Sequence, residues 1–210
     1  MRILSCVFVL ASLSWAHFCA GADTELATVE VDGQPLGANV LRLDKALAYL
    51  GRPLAEATRE ALQTAAKDRD ARRLQQILDP LVLFEVSINP ELRVKVTRGP
   101  APAQLQQSGY TPVLVKVLNE GTIANRLRIR SPQIGPVYAG ASLGILKRQA
   151  QTELNDNENV QGDTDRFLDA EIFRAAPMTP TLSGLAVEYV LALIYSSEQG
   201  QREATIGFDI

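Results

Sequence analysis

TLSGLAVEYVLALIYSSEQGQREATIGFDI, Thr181 to Ile210, decides the reading of the fold. Leu185, Val187, Tyr189, Leu191, Leu193 and Tyr195 recur at period 2, and Val190, Ala192 and Ile194 make the opposite face apolar as well. An alternation filled on both sides predicts a strand buried on both faces near the centre of a sheet. Ser196 to Gly200 reads as a polar loop, after which Ala204, Ile206 and Phe208 alternate again, so the stretch predicts a hairpin. The alternation is still running at Ile210, which predicts a natural chain that continues beyond it.

Working outward, the preceding residues carry the same kind of signal. LVLFEVSI, Leu81 to Ile88, is followed by Asn89-Pro90 and then by LRVKV, in which Leu92, Val94 and Val96 alternate with Arg93 and Lys95. A Pro-rich connection over 98–109 leads to TPVLVKVLNEG, Thr111 to Gly121, and then Leu127 and Ile129 alternate with Arg126, Arg128 and Arg130. Short strands divided by Pro, Gly and Asn turns predict an antiparallel β-sandwich over 81–210, of the immunoglobulin or fibronectin type, without the Cys-Trp-Cys hallmark. Residues 131–165 are irregular and read as a long covering loop.

Upstream the period changes. Thr28 to Val31 reads as a short β-like run closed by an Asp32-Gly33 turn. Leu43, Leu47 and Leu50 then place a helix from Asp44, with Gly51 as its stop. Pro53 opens a second helix and Asp70 caps a third, which Asp79-Pro80 ends. The fold class is therefore α+β, with a helical region over 23–80 before the sandwich. An Ala-rich helical region this short buries little by itself, so it is expected to pack on the sheet or on a neighbouring domain.

Met1 to Ala22 has the form of a secretory signal peptide: Arg2, an apolar run over Ile3 to Ala16, and the small residues Ala20, Gly21 and Ala22. The run is shorter than a bilayer span, so cleavage rather than anchoring is expected, with no transmembrane span afterwards. The expected location is periplasmic, secreted or extracellular. Cleavage would remove Cys6, Cys19 and His17, and with them disulfides, thiolate or imidazole metal sites, Ser-His triads and Cys nucleophiles. The net charge of −3 gives no nucleic-acid signal.

Two surface features remain as candidate sites. Arg126, Arg128 and Arg130 form a basic ladder, read first as a solvated face and second as a contact for a glycan, a phosphate or an acidic loop. Asp156, Glu158, Asp163 and Asp165 lie in an acidic stretch that fails as an EF-hand, because the first position lacks a carboxylate and Leu168 stands where the bidentate Glu belongs. They stay as candidates for an irregular calcium site, and a paired-carboxylate glycosidase is the remaining enzymatic reading.

FLDAEIF (Phe167 to Phe173), PMTPTLSGLAVEYVLALIYSSEQGQREATIGFDI (Pro177 to Ile210) and TPVLVKVLNEG together resemble the region that precedes the catalytic domain in large secreted bacterial proteins of the CehA/McbA type, within the PHP superfamily of metallohydrolases. The resemblance runs from about Leu81 to the end. It implies a non-catalytic accessory region whose partner is a C-terminal catalytic domain of the same polypeptide, with the divalent metal held there by His and Asp ligands. No catalytic, cofactor or metal residue carries over to this chain. A free-standing binding module for a glycan or surface protein is the alternative, and a calcium protein or glycosidase the third.

Overall fold

The computed structural model describes residues 25–106, 109–135 and 166–210. Three helices come first, α1 (Gly33–Tyr49), α2 (Glu56–Lys67) and α3 (Ala71–Leu78), followed by a tight 3-10 turn over Asp79–Leu81. Seven strands follow: β1 (Val82–Ile88), β2 (Val94–Arg98), β3 (Thr111–Asn119), β4 (Arg128–Arg130), β5 (Leu168–Ile172), β6 (Val187–Ser196) and β7 (Gly207–Asp209). Five of them make one curled sheet in the order β2-β1-β3-β6-β5, and β4 and β7 pair separately. The architecture is α+β in three layers: helices, main sheet, small sheet.

α1 begins at Gly33, well before the helix expected from Asp44. Asp32 is its N-cap, accepting from the Gln34 amide, so Asp32-Gly33 starts a helix instead of closing a turn. Gly33 and Pro35 both suit the start of a helix here. Pro35 lies in the first turn, where its missing N–H costs nothing. Gly33 lies so close to the α2–α3 corner that a Cβ would fall 1.8 Å from the Arg69 carbonyl oxygen. Leu36, Val40, Leu43 and Leu47 then form the buried stripe, and Gly51, at φ +73, closes the helix end as expected. α2 starts at Glu56 instead of Pro53. Asp70 caps α3 through the Arg73 amide, as its position predicted.

β6 occupies the place its alternation requires. It lies between β3 and β5, antiparallel to both, and is buried on both faces through most of its length. Val187, Tyr189 and Leu191 join Leu36, Leu43, Leu74 and Leu78 in the core beneath the helices. Val190 and Ala192 join Val86, Val115, Leu127 and Phe208 in the core beneath the small sheet.

Two expectations are corrected. The sheet is mixed, because β1 and β3 run parallel. The chain between them, residues 89–110, first forms β2 and then passes across the start of β1, where the Gly99 and Ala101 amides donate to the Leu83 and Val82 carbonyls, leaving ample length for a parallel crossover. The expected hairpin at the chain's end does not form, because β7 pairs with β4, with Arg128 opposite Asp209 and Arg130 opposite Gly207. Phe208 explains the choice: β7 lies over the second face, where its ring meets Phe84 edge-on.

Candidate functional site

The helix-facing side of the sheet carries one polar row among apolar ones. Registers place Thr97, Glu85, Lys116 and Tyr189 side by side across β2, β1, β3 and β6. Asp79, from the turn after α3, meets this row. Lys116 donates from Nζ to Asp79 Oδ2 at 2.8 Å and to the Ala27 carbonyl at 2.9 Å, and the Tyr189 hydroxyl donates to Asp79 Oδ1 at 2.7 Å. Lys116 and Tyr189 are fully buried. Burial, then the charge and hydrogen bond of Asp79, raise the Tyr189 hydroxyl far above its ordinary range, so it serves as a donor. Burial also raises the Glu85 carboxyl, against the pull of Lys116, and its Oε2 has no hydrogen-bond partner.

This arrangement holds layers together: a helix-end carboxylate, a strand ammonium and a strand phenol are joined where water does not reach. Its chemistry is a charge-assisted hydrogen-bond network, with no face of Lys116 open to a substrate. In the sequence alone Asp79 reads as a helix stop and Lys116 as one member of an alternating strand, so neither marks the network. The available signal was a lone lysine inside a nine-residue apolar strand, which has to find a buried partner.

Two buried amides repeat the theme. Asn39, on α1, accepts from the Tyr189 amide at 2.8 Å and donates to the Tyr189 carbonyl at 3.0 Å, filling the β6 edge beyond the reach of β5. Gln75, on α3, does the same to Val29, at 3.0 and 2.7 Å. Each amide stands in for a strand partner.

On the outer surface, Arg126, Arg128 and Arg130 are all exposed, while the intervening Leu127 is buried and Ile129 packs inward. Its acidic neighbour is Asp209 of β7. Arg130 donates to that carboxylate from Nε at 2.8 Å, which with backbone and Arg128 contributions holds it below the usual carboxylate range. Asp156, Glu158, Asp163 and Asp165, like residues 1–24, lie outside the described residues. Among the described residues no cluster of His, Cys, Asp or Glu is placed to hold a metal ion, and no helix is long and apolar enough to cross a membrane.

A groove of about 1260 Å³ opens at the end of the sheet beside the β6–β7 connection. Leu83, Phe84, Leu105 and Ile194 give it apolar walls, and Arg98 and Glu198 are among its polar ones. Arg98 is spent on the fold, donating to the Leu83 carbonyl at 2.8 Å, to Gly99 at 2.7 Å and to Ala101. No protein-family model, curated protein or solved structure matches this chain.

Proposed function

We propose that this chain is a non-catalytic accessory module of an exported protein, packing beside a catalytic domain of the same polypeptide or presenting substrate to it. The observation that supports this reading is where the polar chemistry goes. Asp79, Lys116, Tyr189, Asn39 and Gln75 all bond within the fold, and none is aimed at the groove. The resemblance of the strand motifs to the region before a CehA/McbA-type metallohydrolase domain assigns the metal and its His and Asp ligands to that other domain. We read the main sheet and the β4–β7 sheet as the two layers of a sandwich related to immunoglobulin or fibronectin domains, with the parallel β1–β3 pair as a departure from that pattern.

Sequencing the source gene past the Ile210 codon tests this. An open frame running into further strands and a His/Asp-rich domain is the expected result, and an immediate stop codon overturns it. The second reading is a binding module for a glycan or surface protein. It is favoured by the exposure of Arg126 and Arg128 beside the Arg130–Asp209 pair. Saturable binding lost on replacing the three arginines by alanine would carry that reading instead.

A further inference from the structure

We infer that residues 25–31 form a detachable strap, which opens and redocks on a body that stays folded. Among the described residues, the strap makes no backbone-to-backbone hydrogen bond with any strand or loop. Two side chains hold it, at alternate residues: Lys116 takes the Ala27 carbonyl, and Gln75 takes both the N–H and the C=O of Val29. Leu26 is its one buried residue, Val29 and Val31 are half-buried, and Glu25, Ala27, Thr28 and Glu30 are exposed.

The bed beneath the strap is mixed. Leu26 belongs to the main apolar core, with Val29 and Val31 packed against it, and opening the strap withdraws these three side chains while uncovering the Gln75 amide and the Lys116 ammonium, groups that water satisfies directly. The pivot is equally defined. Asp32 caps α1, and Gly33 is seated against the Arg69 carbonyl, so motion of the strap stops at the helix start.

The comparison within the same molecule is the Asn39–Tyr189 lock. It uses the same two-bond amide geometry, but it joins α1 to β6 across the main core, and it opens only when that core does. The open state presents Lys116 and Gln75 as a track for an extended backbone, and the occupant of that track is the chain's own residues 25–31.

Native-state hydrogen exchange on the whole chain decides the matter. The Val29 amide is expected to exchange roughly 100-fold or more faster, relative to its intrinsic rate, than the Tyr189 amide, with little dependence on low denaturant. Gln75→Leu is expected to speed Val29 exchange by about ten-fold or more and to leave Tyr189 unchanged. Leu26→Ala gives the same contrast from the other end of the strap. Equal protection of Val29 and Tyr189 in the unsubstituted chain, with the same denaturant dependence, overturns the proposal whatever the variants do.

Discussion

Lys116 concentrates the energetics of single residues in this fold. Its ammonium is buried against Asp79, and an ion pair in that setting matters most when one half is removed, since the other half is then stranded. Lys116→Met is expected to destabilise the chain by about 3 kcal/mol, and the double variant with Asp79→Asn to recover part of the loss, as read by urea denaturation. Glu85 works in the opposite sense. Burial lifts its carboxyl above the ordinary value, so the folded state holds the proton more readily than the unfolded chain. Stability from this group therefore falls as pH rises from the unfolded pKa through the raised folded one. Glu85→Gln removes the charge, so the variant is expected to be more stable than the parent at about pH 7, with the gap closing toward about pH 3. Denaturation midpoints at the two pH values check it.

Among the elements, α1 is the keystone, because it contacts both other helices and β6. Its docking depends on the absence of a side chain at Gly33. Gly33→Ala would place a Cβ within 1.8 Å of backbone, which has no flexible end to swing away. The helix start or the Arg69 corner must shift, at a cost of about 1–3 kcal/mol, and thermal denaturation is expected to show the loss. A change from Gly to Ala in a free helix would instead have been favourable, so the sign separates tertiary contact from propensity. The Arg130–Asp209 pair on the small sheet is of another order. Both partners keep substantial exposure, and a pair of that kind contributes between about 0 and 1 kcal/mol.

Across the whole molecule, the helices do not have a core of their own. Leu36, Leu43 and Leu78 share one apolar cluster with Val82, Tyr189 and Leu191 of the sheet, and Asn39 and Lys116 bolt the layers together. Loss of the sheet therefore removes the surface on which the helices fold. Urea unfolding followed by far-ultraviolet circular dichroism and by near-ultraviolet tyrosine signals is expected to give coincident transitions. Two separated transitions would show that helices and sheet unfold independently.

Local chemistry alone determined the α+β class, the Asp70 cap, the Gly51 stop, the doubly buried β6 and the outward set of the arginine ladder. Each depends on the period of side chains along one segment or on a single cap residue, and those rules act within a few residues. Only the tertiary structure decided that β1 and β3 run parallel, that β7 leaves β6 for β4, and that Gly33 opens a helix. Those outcomes depend on which distant surface needs covering, as Phe208 does over Phe84 and Gly33 does against Arg69. The joining of Asp79, Lys116 and Tyr189 is of the same kind. A buried charge dictates that it must have a partner, and the fold dictates which residue, 37 positions away along the chain, that partner is.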